Sequence, residues 1–353
     1  MINEQTIFLD DIEFDISRPS IVQPGTSILN LIQSDLYPTG GFRSIGGIPE
    51  WIPLMWLEYE RDKIDSLQKL RIISLEGTFS DWVEDSVKAS FKNVEVEIIN
   101  IPNFGNWIFK NLAKIKAKEI NEHEKTDAVI YSAGTMRLNR TVLLEWCQEN
   151  FIENIAYPTV NPDQLHFINN EYKSVSNLNQ TPKLKLEGKR FFDDIDVHEF
   201  NDKFCDLLCK TYINFVATSP DYGLRLGFLD EKTWYPIACK TIPFFVGNVN
   251  ENENLQNYGF KPYVGFDYSG ASVNNPIDRW KKILNDNKQF FVDIGQAEEI
   301  YSLNKEIIQF NFDRLTTVDW EKTAYDQFNR QDPHIKDLVR THANRVYKLF
   351  SIK

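Results

Sequence analysis

Apolar residues recur along this chain with two alternating periods. From Lys69, KLRIISLEG is an apolar run ending at Gly77; SDWVEDSVKASF spaces its apolar residues three and four apart, and NVEVEIINI alternates apolar with polar. These stretches predict a strand, a helix capped by Ser80 and a second strand. A helix follows over residues 107–121. The succession then returns: DAVIYSAG (127–134) is a strand and TVLLEWCQENF (141–151) its helix. After a polar, irregular tract at 161–188, a helix capped by Asp194 or Asp196 runs to about Lys210, and TYINFVATS makes a strand. A helix over 232–240 leads to the strand IPFFVGN, and NLQNYGF and PIDRWKKILND predict two more helices. The tail from Asp319 is helical and polar.

Strands alternating with helices predict an α/β fold with mostly parallel sheets, each buried on both faces. A length of 353 residues exceeds one ordinary core. The expectation is two Rossmann-like domains facing a cleft, residues 1–122 and 123–335, with a C-terminal helix at 336–353 packing back on the first domain. Parallel sheets bind ligands at the carboxyl ends of their strands.

Composition narrows this picture. With 42% hydrophobic and 13% aromatic residues the chain has material for a sizeable core. Its 39 basic against 51 acidic side chains give a formal charge of −12, which weighs against general attraction to nucleic acid or anionic membranes. A local basic face from the lysine-rich stretches 110–118 and 183–190 stays open. The start, MINEQTIFLDDIEFD, has acids where a signal peptide needs basic residues, and no apolar run approaches the roughly 18 residues of a membrane span. A cytoplasmic protein with no membrane partner is expected. Of the four cysteines, Cys147, Cys205, Cys209 and Cys239, the i,i+4 pair Cys205 and Cys209 shares a helix face with Phe and Leu and reads as packing. The five histidines lack metal-ligand spacing, so no metal site is expected.

The chemistry concentrates in FLDEKTWYPIACKTIPFFVGN, residues 228–248. Glu231 and Lys232 open a helix, where exposed N–H groups and the positive dipole end favour an anion. Lys232 can neutralise a phosphate, and Glu231 can accept from both hydroxyls of a ribose. The same residues also suit a plain helix start with Asp230 as cap.

E-K-T-x-x-P-I-A followed by I-P-F-F-V-G-N resembles the donor-site signature of the α1,3-fucosyltransferases and, more loosely, of the exostosin-type glycosyltransferases. The chain further resembles phage-encoded glycosyltransferase-like proteins, which carry Gly-Phe and then acidic-aromatic segments after this element, here Tyr258-Gly259-Phe260, Asp267-Tyr268 and Asp278-Arg279. They also carry an Asn-Arg turn between a strand and a Leu-rich helix, which YSAGTMRLNRTVLLEWCQENF is similar to, although Ala-Gly-Thr-Met stands where those relatives are more basic. The resemblance covers residues 127–284. It implies a GT-B architecture, with residues 1–122 on the acceptor side and 123–335 binding a nucleoside-diphosphate sugar, and no required metal or other cofactor. It implies that Glu231 and Lys232 hold the ribose and diphosphate. Arg137 and Arg140, between a strand end and a helix start, suit bidentate contact with the diphosphate.

Transfer to a hydroxyl needs a base as well as charge to stabilise the leaving diphosphate. Glu76, after the apolar run RIISL, is the first candidate base and Asp81 the second; each also suits a turn or first-turn acid. Thr218, Ser219 and Tyr222, past the strand TYINFVA, are candidates for contacts with the nucleotide. Trp234 reads as a core aromatic before a stacking one. The glycine pairs of YPTGGFRSIGGIPEW suit turns, or a mobile loop. Asp194-Ile195-Asp196 has the form of a D-x-D metal motif but sits where helix caps are common.

The reading is a hexosyl- or pentosyltransferase acting on an acceptor hydroxyl, with a glycan as one acceptor and a hydroxymethylated pyrimidine in DNA as the other. The rival is a non-catalytic nucleotide-sugar-binding or structural protein. A phosphotransferase lacks a phosphate-binding glycine loop here.

Overall fold

The computed structural model describes residues 3–8, 21–33, 42–45, 48–51, 57–74, 81–100, 124–132, 138–150, 204–217, 231–247 and 250–320, with isolated positions elsewhere. The chain divides into two compact units. One comprises Met1–Trp107, Asp221–Asp230 and Asp319–Val346; the other comprises Ile108–Pro220, Glu231–Val318 and Tyr347–Lys353.

The first unit holds a parallel sheet of β1 (Glu4–Phe8), β2 (Ile28–Gln33), β5 (Lys69–Ser74) and β6 (Glu95–Asn100), ordered β1-β2-β5-β6. β3 (Phe42–Ile45) and β4 (Ile48–Trp51) form an antiparallel pair. The short helix α1 (Arg61–Ile64) precedes β5, and α2 (Asp81–Ser90) connects β5 to β6, as the periodicity predicts. Leu29, Leu31, Leu70 and Ile72 point to one face, into a core with Leu57, Ile64, Val87 and Phe91.

The opposite face departs from expectation. Thr6, Asn30, Arg71 and Glu97 are in register across all four strands. Arg71 Nε donates to Glu97 Oε2 at 3.1 Å and its Nη1 to Asn30 Oδ1 at 3.0 Å. Asn30 Nδ2 donates to Glu4 Oε1 at 2.6 Å, and Lys69 Nζ lies 2.8 Å from both Glu95 and Glu97. Asn30, Arg71 and Glu97 are nonetheless buried. An apolar two-faced sheet is the wrong description here, because paired charges can be buried where apolar residues were expected.

The second unit holds a parallel sheet ordered β10-β9-β7-β8: β7 (Asp127–Ser132), β8 (Ile155–Ala156), β9 (Thr211–Val216) and β10 (Ile242–Phe245). Between β7 and β8 runs α3 (Leu138–Glu149), which starts three residues before the predicted helix; a helix at 204–209 precedes β9, and α4 (Glu231–Ala238) joins β9 to β10. Beyond β10 come α5 (Glu251–Asn254), a 3-10 turn (Leu255–Tyr258), and α6 (Pro276–Asp286). Three helices then follow that the periodicity reading passed over: α7 (Gln289–Val292), α8 (Ile294–Leu303) and α9 (Lys305–Thr317). Phe215, Phe244 and Phe291 meet edge to face, with centroids 4.7 to 6.0 Å apart. All four cysteines are buried and none is disulfide-bonded, in line with packing.

The predicted helix at 107–121 is described only at 110 and 113, both helical, and the tract 161–200 lies outside the described residues. Among the described residues no helix is long and apolar enough to cross a membrane.

Candidate site at the carboxyl edge of the second sheet

Strand order locates the site. From β7 the chain steps to β8 on one side, then returns to place β9 on the other side and continues outward to β10. Successive connections therefore leave in opposite directions at the β7–β9 boundary. A crevice opens at such a switch point, beyond the carboxyl ends of the strands, and α/β sheets bind ligands there. The first sheet, ordered consecutively, has no switch point among its described strands.

Arg140 sits at this boundary. It is 4% exposed, and its Nε donates to the carbonyl of Ala217, the residue after β9, at 3.1 Å. Its own carbonyl accepts from the hydroxyl of Tyr131, near the end of β7, at 3.1 Å. Tyr131 is fully enclosed, and that burial pushes its phenol well above the ordinary tyrosine range, so it stays a neutral donor. The residue before Arg140, Asn139, gives Nδ2 to the carbonyl of Val246 at 3.0 Å. The first turn of α3 is thus tied to the ends of β7, β9 and β10 at once. A surface arginine is excluded.

A parallel connection carries the chain back along the sheet, so the helix N-terminus of a β-α-β unit lies at the carboxyl edge. For α4, which joins β9 to β10, that end is Glu231-Lys232. From Thr233 through Cys239 every side chain is buried, while Lys232 is half-buried, which distinguishes it from a solvated helix start. Pro236 has no N–H to give the Lys232 carbonyl four residues earlier, so the first turn carries one intrahelical bond fewer. Trp234 is 2% exposed and packs on Tyr258 and Phe260 at 5.6 and 5.4 Å, so it is core.

The chain beyond β10 closes the edge. Residues 260–268 form neither helix nor strand, yet their backbone is paired. Four asparagine side chains each accept from a backbone N–H and donate to the carbonyl of the same residue: Asn311 with Lys261, Asn252 with Tyr263, Asn304 with Val264 and Asn287 with Asp267, all at 2.8 or 2.9 Å. Each amide does the work of a neighbouring strand. Tyr268 is delivered under β10, stacked on Phe244 at 5.3 Å with its hydroxyl accepting from the Phe245 N–H at 3.3 Å. Its burial, with Glu251 and Glu253 close by, raises its phenol far above the ordinary range. Trp280 of α6 donates Nε1 to the Gly247 carbonyl at 2.8 Å.

The remaining sequence candidates fall unevenly. Glu76, Arg137, Thr218, Ser219 and Tyr222 lie outside the described residues. Asp81 is the first residue of α2 and Glu231 the first of α4, but their side chains lie outside the described set. Arg140 and the two helix starts were legible as an Arg turn and an acid-base pair. Tyr268 was legible only as part of the Asp267-Tyr268 segment, and Asn139 and the four asparagine clamps were not read; the signal of the clamps is a polar residue on an apolar helix face, as Asn311 among Ile308, Phe312 and Leu315. Lys110, counted toward a basic face, donates Nζ to the Val318 carbonyl at 2.7 Å.

No family model and no curated protein matches the sequence. Among solved structures, an alpha-glucosyltransferase in complex with UDP and a 13-mer DNA containing a HMU base is 12% identical over 86% of this chain and 79% of that one, with a TM-score of 0.39. An alpha-glucosyltransferase in complex with UDP and a 13-mer DNA containing a central A:G mismatch is 10% identical over 86% and 80%, with a TM-score of 0.45. An alpha-glucosyltransferase in complex with UDP is 10% identical over 86% and 81%, with a TM-score of 0.41. Likenesses at this level assign neither fold nor function to this chain.

Proposed function

We propose that the protein is a glycosyltransferase of GT-B type, which takes a sugar from a nucleoside-diphosphate donor held at the carboxyl edge of the second sheet and passes it to an acceptor hydroxyl. The observation that carries the reading is the switch point between β7 and β9, with Arg140 buried at it and the Glu231-Lys232 helix start at the same edge. In this reading Glu231 binds the ribose, and Lys232 with Arg137 neutralises the diphosphate. Arg140 fixes the backbone that leads into Thr218, Ser219 and Tyr222, which line the nucleotide. Glu76, two residues past β5, or Asp81 takes the acceptor proton. Charge on the leaving group is balanced by side chains and helix dipoles, so activity persists in a chelator.

The test is a thermal-shift screen against UDP, GDP, CDP, ADP and dTDP and their sugars, since a ligand of the native state alone raises the melting temperature. One nucleotide should stabilise the protein, and Glu231→Ala and Lys232→Ala should each abolish the shift. No shift with any of them would sink the reading and favour a non-catalytic protein. Acceptors are then compared as glycans against duplexes carrying hydroxymethylated pyrimidine. The charge of −12 favours the glycan.

A further inference from the structure

Arginines with a shielded Nε in this fold have an acceptor for it. Arg71 uses Glu97, Arg140 the Ala217 carbonyl at 3.1 Å, and Arg314 the Tyr258 carbonyl at 2.9 Å. Arg279, in the first turns of α6, breaks the pattern: its Nε is shut off from solvent and, among the described residues, nothing accepts from it. Its neighbours on the helix are satisfied, Lys281 by Glu145 at 3.2 Å and Lys282 by Asp286 at 2.7 Å. A buried donor left unpaired costs about 1–3 kcal/mol, more when charged, so it calls for a partner that the described residues do not supply.

The surroundings say which partner. Trp280, the next residue, holds α6 against Gly247 just past β10 through a 2.8 Å bond, while Asn139 holds α3 against Val246. Further along, Trp146 Nε1 donates to Asn285 at 2.7 Å, and Glu145 pairs with Lys281. The two helices therefore run side by side in the same direction, with both N-termini at the carboxyl edge of the sheet. Asn275 caps α6 by accepting from Ile277 and Asp278. Partial burial lowers the affinity of Arg279 for its proton. The partner is an anion with oxygens to accept from a guanidinium fork.

We infer that Arg279 is a diphosphate-holding residue of the donor site, supplied by α6 independently of the Arg turn and of the Glu-Lys pair. This rests on the donor-site reading of the same edge. Charge-assisted bonds of this kind make the expected effect tenfold to a hundredfold in affinity.

Calorimetric titration of the full chain with the five nucleoside diphosphates, the parent nucleosides and inorganic pyrophosphate tests it, using wild type, Arg279→Gln and Arg279→Lys. In support, Arg279→Gln weakens the bound diphosphate and pyrophosphate at least tenfold, Arg279→Lys less, and neither changes nucleoside binding. An unchanged diphosphate affinity in a folded Arg279→Gln overturns the inference and leaves the donor site standing. Pyrophosphate binding that depends on Arg279, with no nucleotide bound, keeps the anion site and removes the sugar-nucleotide reading. A wild type that binds none of the probes removes both. If Arg279→Gln does not fold, Arg279→Lys is judged by the same affinities.

Discussion

In the first sheet the row Thr6, Asn30, Arg71 and Glu97 crosses all four strands, and with the neighbouring Lys69, Glu4 and Glu95 it pairs two cations with three glutamates and the Asn30 amide. In the second sheet the polar non-aromatic residues of the central strands are Asp127 and Ser132 in β7 and Thr211 and Asn214 in β9, and side chains of the flanking helices bond to backbone carbonyls just past the strand ends. The described strands of the first sheet run in consecutive order without a switch point, whereas the β10-β9-β7-β8 order of the second has one. Counting charged residues points to the first sheet, and strand order points to the second. In the second sheet polar groups stand where the topology opens, and among the described residues nothing accepts from Arg279 Nε.

The largest expected effect tests whether the charges of the first sheet are structural. Removing one partner of a buried ion pair costs about 3–5 kcal/mol, because the other is left uncompensated. Arg71→Ala should therefore lower stability by about that much in urea unfolding, while the refolded variant binds nucleotide as the wild type does. Since Arg71 and Glu97 contact one another, the double variant Arg71→Ala, Glu97→Ala should lose less than the sum of the two singles. A nucleotide affinity that falls with Arg71→Ala would break the division between the sheets.

The next effect comes from the amino edge of the second sheet. Lys125 donates to the carbonyls of Cys209 and Thr211, at 3.3 and 2.7 Å, and lies 5.0 Å above the Tyr301 ring. Burial depresses its ammonium to about 8, with Cys209 and Cys239 acting in the opposite sense. The sign follows from proton counts. Between pH 8 and about 10.4 the unfolded chain holds this proton and the folded chain does not, so stability rises with pH across that window and is independent of this group below it. The gain in wild type over Lys125→Met should reach about 3 kcal/mol between pH 8 and 10.4. Equal slopes in the two proteins would show that Lys125 titrates normally.

Both strand sets with β-α-β spacing were legible because period alone distinguishes strand from helix in 69–100, 127–149 and 211–245. Strands β1 and β2 escaped because ILNLIQ places Asn30 inside an apolar run, and only the register with Arg71 explains that residue. Helices α7 to α9 escaped for the related reason that Asn304 and Asn311 interrupt their apolar faces. At the site, Arg140 and the Glu231-Lys232 start were visible as local patterns. The place of Asn139 was not, since it depends on a contact 107 residues away in sequence, with Val246.

The smallest effect sharpens what holds the second sheet's edge. Asn287→Ala removes the amide that pairs both backbone groups of Asp267, together with a bond to the Ile283 carbonyl, and about 1 kcal/mol per bond predicts a loss near 2–3 kcal/mol. The next residue is Tyr268, whose hydroxyl meets the Phe245 N–H, so the loss should be local as well as global. Amide exchange is the discriminating measurement, because it resolves which backbone groups open. Faster exchange at Asp267 and Phe245, with β1 to β6 unchanged, makes the asparagine a surrogate strand for this edge alone. Asn287→Asp should be no rescue: a carboxylate still accepts from the Asp267 N–H, but its second oxygen then faces the Asp267 carbonyl with no hydrogen between them. A variant that unfolds as stably as wild type would mean that water replaces the amide, and that the edge is held by packing of Tyr268 and Trp280 instead.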